Sequence, residues 1–410
     1  MLAYLVFRHS PRVIFPDLTR IRLTTMPTHE SQVKQQLAEL VALPSVSAVD
    51  PAFDMSNAGV VDALASRYSD AGFSVSRQEV SLTPSKFNLI ARLGSGSGGL
   101  VLSGHTDTVP FDSGLWDSDP FVLSERDGCW YGLGSADMKC FFPLVLAALD
   151  GLDPSRFVAP LTVLATADEE SSMAGARVLA ASGQALGDFA LIGEPTQLIP
   201  IHQHKGILIG RIELLGRSGH SSDPSLGANA LDCMHDIMSG LKEWRSRAAE
   251  RFVDGAFKVP VPTLNLGRIN GGDSPNRICA NCELLFDIRL MPQMSLDGTV
   301  AEIRDLVVKV SDAHGIKGEL ILPMAPIAAL DTPASSALVG LLSELSGNAP
   351  QTVAFATEGP FLNALGCESV IFGPGNIATA HQPNEYVEIA RALRMIEILR
   401  ATIERFCCDG

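Results

Sequence analysis

The chain has 410 residues, a formal net charge of −15 and a hydrophobic content of 46%. This acidic balance argues against nucleic acid and anionic membranes as binding partners. The longest apolar runs, such as residues 161–167, are far shorter than a membrane-spanning helix. The length is sufficient for two domains, each with its own hydrophobic core.

The first 25 residues differ in character from the rest of the chain. They contain four arginines but only one acidic residue, Asp17, and no basic region precedes their apolar start. A secretory signal requires that basic region and a small-residue cleavage site. An Arg-rich targeting peptide is one interpretation. We favour an upstream extension, with Met26 as an alternative start.

Eight cysteines are scattered along the chain without the spacing of a small disulfide-rich domain. Cys279-Ala-Asn-Cys282 is the only C-x-x-C pair, and no second pair completes a tetrahedral zinc site. These two cysteines are therefore interpreted as strand residues.

Hydrophobic periodicity predicts strands that alternate with helices in the first half of the chain. The predicted elements are helices at 31–43, 58–71, 138–152 and 174–181, and strands at 73–76, 100–103, 161–166 and 189–192. Strands separated by helices imply an α/β fold with a mostly parallel sheet covered by helices. In such sheets, ligands bind beyond the carboxyl ends of the strands.

The pattern changes after Lys205-Gly206 and changes back near Thr332. Between these points the sequence predicts strands at 207–215, 261–269, 278–289 and 318–322, and helices at 229–244 and 296–310. Beyond them it predicts helices at 335–345 and 389–406 and a strand at 369–372. We therefore expect a catalytic domain formed by residues 1–206 and 328–410, with an inserted α+β domain at 207–327.

Histidines and acidic residues occur at the predicted strand ends and in the loops near them. They are His105, Asp137, the pair Glu169-Glu170, Glu194 and His381. One imidazole and one carboxylate for each of two metals, with a shared carboxylate, would form a dinuclear site. Mixed nitrogen and oxygen ligands suit catalytic zinc, with cobalt as a substitute. The second carboxylate of the Glu169-Glu170 pair would then be free to move a proton.

Asp107 follows His105 by two residues, so strand alternation predicts that both lie on the same side. A carboxylate behind a metal-binding imidazole fixes its tautomer and raises its basicity. We therefore expect the Asp107 carboxylate to orient His105.

The chain resembles the dinuclear zinc aminoacylases and carboxypeptidases of the M20 family, from roughly Gln32 to Cys407. The motifs that carry this resemblance are Ser-Gly-His105-Thr-Asp107-Thr-Val-Pro, Gly-Ser-Ala-Asp137-Met-Lys, Ala-Asp-Glu169-Glu170-Ser, Gly-Glu194-Pro-Thr, Gly-His220-Ser-Ser and Ala-His381-Gln-Pro. Within the family, the stretches Gly271-Gly-Asp-Ser-Pro-Asn-Arg-Ile-Cys, Thr357-Glu-Gly-Pro-Phe and Gly373-Pro-Gly are most similar to the acetylornithine deacetylase group.

The resemblance implies roles for the metal motifs. Asp137 would bridge two zinc ions and precede a cis peptide bond. His105 and Glu194 would complete one metal site, and Glu170 and His381 the other. Glu169 would be the general base.

Other roles follow from the same resemblance. The inserted domain would form a homodimer, with His220 reaching the partner's active site to stabilise an oxyanion. Asn276 and Arg289 match positions that hold the substrate carbonyl and carboxylate, and Arg277 lies beside them. The backbone at Gly373 and Gly375 would approach the substrate.

The resemblance and charge complementarity also suggest that Glu358 binds a distal ammonium group. A carboxylate at the start of a helix is the alternative for this residue. The implied reaction is hydrolysis of N2-acetyl-L-ornithine to L-ornithine and acetate, in arginine biosynthesis in the cytoplasm. Deacylation of acetylcitrulline or succinyl-diaminopimelate, or dipeptide hydrolysis, are the alternatives. A non-catalytic binding protein on the same fold is a more remote one.

Overall fold

The computed structural model describes residues 28–409. The predicted extension at residues 1–25 lies outside this range. None of the helices between residues 28 and 409 combines the length and apolar character that a membrane span requires.

Sixteen strands are assigned within the described range. They are β1 Ser74–Leu82, β2 Ser85–Leu93, β3 Leu100–His105, β4 Ser124–Arg126, β5 Cys129–Tyr131, β6 Leu161–Thr166, β7 Phe189–Ile192, β8 Ile201–His204, β9 Gly206–Leu215, β10 Thr263–Gly271, β11 Asn281–Leu290, β12 Lys317–Ile321, β13 Leu330–Asp331, β14 Gln351–Val353, β15 Glu368–Ile371 and β16 Tyr386–Glu388.

Nine α-helices are assigned within the same range. They are α1 His29–Val41, α2 Ala58–Asp70, α3 Phe141–Leu149, α4 Ala174–Ser182, α5 Ala230–Arg251, α6 Leu296–Ala313, α7 Ala337–Ser346, α8 Gly359–Ala364 and α9 Ile389–Cys407.

The largest sheet has the order β1-β2-β6-β3-β7-β15-β8-β13, and β14 also pairs with β8. The four central strands, β6, β3, β7 and β15, are parallel, and antiparallel pairs flank them. Every residue of β3 and β6 is buried, as expected for strands covered by helices on both faces. The predicted α/β fold with a mostly parallel sheet is confirmed.

A second, antiparallel sheet has the order β10-β11-β9-β12 and packs against α5 and α6. Its buried residues form a hydrophobic cluster that extends from Leu208 to Leu320. Strand β9 alternates buried and less buried residues, so one face of this sheet is packed and the other is more open. The boundaries proposed for an inserted domain, residues 207–327, stay a prediction.

The large sheet and one helix differ from the sequence-based expectation. Strands β2, β8, β13 and β14 of the sheet were not predicted, and α3 begins three residues later than the expected Met138. Asn88 in β2 and His204 in β8 are fully buried, so polar residues interrupt the apolar pattern that would have indicated strands. Residues 133–140 instead form the turns that carry Asp137.

Candidate metal centre

The site forms at the carboxyl edge of the parallel strands. His105 is the last residue of β3, Asp168 lies two residues beyond β6, and Glu194 lies two residues beyond β7. Because these strands run parallel, their carboxyl ends meet at one edge of the sheet. The sheet topology therefore brings together residues that are far apart in sequence.

One half of the cluster is formed by His105, Asp137 and Glu194, all buried. The imidazole Nε2 of His105 lies 2.9 Å from Oδ1 of Asp137 and 3.7 Å from Oε1 of Glu194. The peptide bond between Asp137 and Met138 is cis. This grouping agrees with the ligand set that the resemblance implies for the first metal.

The other half is formed by His381, Glu170 and the second oxygen of Asp137. Nε2 of His381 lies 3.0 Å from Oε1 of Glu170 and 3.5 Å from Oδ2 of Asp137. The two oxygens of Asp137 thus face two different histidines, which is the arrangement a bridging carboxylate requires. The His381 side chain is half exposed, so this half of the cluster is open to solvent.

Glu169 belongs to the same cluster, since one of its carboxylate oxygens lies within 4.8 Å of ligand atoms of both His105 and Glu194. Burial raises the pKa of Glu169, and the charges of Glu170 and Asp137 raise it further. Proximity alone would allow Glu169 to bind a metal. The contact between His381 and Glu170 favours Glu170 as the ligand on the His381 side, as predicted.

The cluster suits divalent metal ions on chemical grounds. Four carboxylates lie close together, and burial together with the charges of Asp137 and Glu169 raises the pKa of Glu194. Bound cations would relieve this concentration of negative charge. The Nδ1–H of His105 donates to a main-chain carbonyl, which leaves Nε2 of the neutral imidazole free for a metal.

Asp107 contacts His105 more closely through its backbone than through the predicted carboxylate. Nδ1 of His105 donates to the main-chain carbonyl of Asp107 at 2.9 Å, whereas the carboxylate Oδ1 lies 3.8 Å away. The other carboxylate oxygen accepts the backbone N–H of Glu170 at 3.1 Å. Asp107 therefore supports a histidine with its backbone and a glutamate with its side chain.

A buried lysine supports the loop that carries Glu169 and was not noticed in the sequence. Lys86 pairs with Asp168 and with Asp54, and Ser47 donates to the same Asp168 oxygen at 2.7 Å. Asp168 has a φ of 58°, a left-handed conformation that is uncommon for a residue other than glycine. The ion pair thus holds Asp168 just before the pair of glutamates.

Glu385 is a second functional candidate that the sequence did not reveal. Its buried carboxylate accepts the backbone N–H groups of Gly134, Ala136 and Asp137. Burial raises the pKa of Glu385 to about 8. The only signal in the sequence is its position four residues after His381, which does not indicate the direction of its side chain.

The structure does not support Glu358 as the residue that binds a distal ammonium group. The residue is only 1% exposed, and its two oxygens accept hydrogen bonds from the hydroxyls of Ser103 and Thr166. Both hydroxyls belong to strands of the large sheet. Glu358 directly precedes α8, in agreement with the alternative of a helix-start carboxylate.

Close packing explains Gly373 and Gly375 without any role for the substrate. A β-carbon at residue 373 would lie 2.2 Å from the carbonyl oxygen of Gly193 and 2.5 Å from that of Glu194. One at residue 375 would lie 2.6 Å from the carbonyl oxygen of Ala136. Both glycines therefore let their loop contact the segments that carry Glu194 and Asp137.

Three of the residues expected to act on the substrate from the second sheet, His220, Asn276 and Arg277, lie next to one another. The backbone at His220 pairs with Arg277, and the N–H of Ser221 donates to the carbonyl of Asn276. Within residues 28–409, the hydrogen bonds of the His220 ring go to Ser222, and Arg277 pairs with Asp273.

Arg289 lies elsewhere on the second sheet, near the end of β11, and pairs with Asp287. None of the ion pairs or side-chain hydrogen bonds found among the described residues joins His220, Asn276, Arg277 or Arg289 to the metal cluster. Their roles toward a substrate therefore stay predictions.

Comparison with known proteins covers most of the chain. Residues 101–405 match the family model of peptidase family M20/M25/M40. The chain is 46% identical over 369 residues to the acetylornithine deacetylase of Proteus mirabilis (strain HI4320), which covers 90% of this chain and 95% of that relative.

Solved structures share the fold at low sequence identity. Aminopeptidase PepT of Bacillus cereus ATCC 10987 has a TM-score of 0.72 at 16% identity, covering 92% of this chain and 98% of that one. A dinuclear metal-binding M20 peptidase of Bacillus subtilis has a TM-score of 0.61 at 13% identity, with the same coverage.

An α/β sheet with imidazoles and carboxylates clustered at its carboxyl edge defines a metal-binding hydrolase. The chain belongs to peptidase family M20/M25/M40. The family resemblance predicted from the sequence motifs is confirmed.

Proposed function

We propose that the protein hydrolyses N2-acetyl-L-ornithine to L-ornithine and acetate. The observation that carries the reaction type is the position of Asp137 between His105 and His381, with Glu169 beside them. The 46% identity to an acetylornithine deacetylase supports the choice of substrate. The implied biological setting is arginine biosynthesis.

His105, Glu194 and one oxygen of Asp137 would hold one metal, and His381, Glu170 and the other oxygen of Asp137 the second. Zinc, with cobalt as a substitute, suits this set of donors, and it would lower the pKa of water and stabilise developing negative charge. Lys86 and Asp107 hold the loop that carries the glutamates from two sides.

Glu169 is proposed to accept a proton from water and then donate it to the departing amine. This is general base catalysis followed by general acid catalysis by one carboxyl group. The raised pKa of Glu169, caused by burial and neighbouring charges, favours such a shared role.

Arg289, with Arg277 and Asn276, would bind the substrate carboxylate and carbonyl through charge-assisted hydrogen bonds. His220 is exposed and would act on the partner's site in a homodimer formed through the second sheet and its helices. All eight cysteines are free, which fits the reducing conditions of a cytoplasmic location.

Steady-state hydrolysis by the zinc-loaded protein tests the proposal. The substrates compared are Nα-acetyl-L-ornithine, Nα-acetyl-L-citrulline, N-succinyl-diaminopimelate and an unblocked dipeptide. We expect the highest kcat/KM for acetylornithine. A preference for another acyl amino acid would overturn the substrate but keep the reaction type, and a preference for the dipeptide would overturn both.

A further inference from the structure

Glu385 links the two segments that supply the second half of the metal cluster. Its Oε2 accepts the N–H of Gly134 at 2.9 Å, and its Oε1 accepts those of Ala136 at 2.7 Å and Asp137 at 2.9 Å. Its own carbonyl accepts the N–H of Gly132 at 3.1 Å. The Glu385 carboxyl group thus holds the turn that carries Asp137 through three backbone N–H groups of that turn.

This carboxylate is an unusual group to bury for structural reasons alone. It is 2% exposed, and it forms no ion pair with any lysine, arginine or histidine among the described residues. A buried carboxyl group is costly unless hydrogen bonds compensate it, and here three N–H donors do so. An apolar side chain would avoid the cost, so the arrangement indicates that the geometry of the turn matters.

The turn matters because it sets the position of Asp137 relative to His381. His381 lies four residues before Glu385, and Thr379 donates its hydroxyl to the carbonyl of Tyr386, which closes this loop. Tyr386 also begins β16, which pairs with β5 just before the Asp137 turn. The side chain of half-exposed His381 has little other support among residues 28–409, since its ion-pair partners there are the carboxylates of Glu170 and Asp137.

We propose that Glu385 is a positioning residue that holds Asp137 in register with His381 and so sets the affinity for the second metal. The proposal rests on the metal centre of the proposed function. The first metal would also use an oxygen of Asp137, but its other ligands, His105 and Glu194, lie on β3 and just beyond β7 and are held by the sheet. We therefore expect its affinity to be less sensitive to Glu385.

The chemistry of the contacts decides the test variants. In Glu385→Gln, Oε1 still accepts two N–H groups, but the new NH₂ group faces the N–H of Gly134, which cannot act as an acceptor. In Glu385→Asp the carboxyl group remains, but the side chain is shorter by one methylene, so both oxygens move away from the N–H donors. Thr162→Val is the matched control. It also removes a buried hydrogen bond, to the carbonyl of Leu186, but at the end of β6 that is far from the metal cluster.

The experiment measures zinc stoichiometry and stepwise affinity by competition with a chelator, at a temperature where the metal-free variants remain folded. We expect two zinc ions in the wild type, a loss of about 10–100-fold in affinity for the second ion in both Glu385 variants, and a change below about threefold for the first. Thr162→Val is expected to leave both affinities unchanged.

Three results would overturn the inference. If both Glu385 variants keep wild-type affinity for two ions, the inference fails while the proposed function stands. An equal loss at both sites would show that Glu385 does not act selectively on the second metal, and a similar loss in Thr162→Val would show a general effect on folding. If the wild type itself binds fewer than two ions, the metal centre of the proposed function fails together with the inference. The two proposals are thus tested separately.

Discussion

Nδ1 of His105 lies 2.9 Å from the main-chain carbonyl oxygen of Asp107 but 3.8 Å from its carboxylate. The backbone therefore fixes the orientation of the imidazole ring, and the carboxylate is free to accept the N–H of Glu170. One residue thus couples a histidine at the end of β3 to the loop that carries the two glutamates.

Replacement of Asp107 separates the charge of its side chain from the hydrogen bond that the side chain accepts from Glu170. Asp107→Asn keeps an oxygen for the N–H of Glu170 but removes the charge, whereas Asp107→Ala removes both. We expect Asp107→Ala to weaken zinc binding by about 10–100-fold, a usual cost of losing a group that supports a ligand. Chelator competition should place Asp107→Asn closer to the wild type. Equal losses in the two variants would indicate that the charge matters and the hydrogen bond does not.

Glu169→Gln should separate proton transfer from metal binding. The substitution keeps the shape of the side chain but removes its ability to accept a proton, so we expect kcat to fall by about 10²–10⁴-fold. Metal analysis should still find the wild-type zinc content. Near-normal kcat would remove Glu169 from the role of general base, and loss of one zinc ion would make it a ligand.

Glu358→Gln tests the buried position that the structure gives to this residue. Ser103 and Thr166 contact it through hydroxyls, which can accept as well as donate hydrogen bonds, so an amide should be accommodated. We expect the kcat/KM ratio between acetylornithine and acetyl-methionine to change by less than about threefold, which is under 1 kcal/mol. A larger change specific to acetylornithine would restore Glu358 as the residue that binds the ammonium group.

Gly373→Ala should disturb the Glu194 segment because a β-carbon would overlap the carbonyl oxygens of Gly193 and Glu194. We expect a lower free energy of unfolding and a zinc affinity reduced by about tenfold or more. Gly340→Ala is the control, since a β-carbon on this α7 residue meets nothing within 4 Å. It should be neutral or stabilise the protein by up to about 1 kcal/mol. Similar effects of the two substitutions would contradict the packing explanation.

His204 should make the stability depend on pH. Burial lowers the pKa of His204 to about 4, and its ring donates to the carbonyl of Lys205 and accepts the N–H of Thr357. The unfolded chain, with a histidine pKa of about 6.5, binds the proton first as the pH falls. The neutral His204 ring therefore makes its full contribution to the free energy of unfolding above about pH 6.5. This contribution, roughly 3 kcal/mol in total, is lost as the pH falls from there to about 4.

Urea denaturation of the wild type and His204→Asn at pH 7 and pH 4.5 measures this contribution. The wild type should lose more stability than the variant between the two pH values. His235→Asn, at an exposed position on α5, serves as the control and should behave like the wild type. An equal loss in the wild type and His204→Asn would show that His204 does not titrate in this range.

The central strands and the metal-binding motifs could be predicted because both depend on local patterns. Strands β3, β6 and β7 are short apolar runs. His105 is the last residue of β3, and Asp168 and Glu194 lie two residues beyond β6 and β7. Parallel pairing then dictates that these ends meet, so proximity follows from order along the chain. The pairing of His381 with Glu170 agrees with the family resemblance, although His381 lies in a loop.

Other features depended on contacts between distant segments. The sequence shows that Asp107 and Glu358 are acidic, but not that a carbonyl would reach His105 before the carboxylate, nor that Glu358 would turn into the sheet. Glu385 meets the turn at Gly134 across about 250 positions of the chain, as its hydrogen bonds record. Strands β2 and β8 are recognised only once the neighbours that satisfy buried Asn88 and His204 are in place.

The sequence by itself determined the central strands, most of the helices and the reactive groups, because periodicity and residue chemistry are local properties. The tertiary structure decided where each loop side chain points, because that direction depends on which distant donors, acceptors and packing surfaces satisfy it.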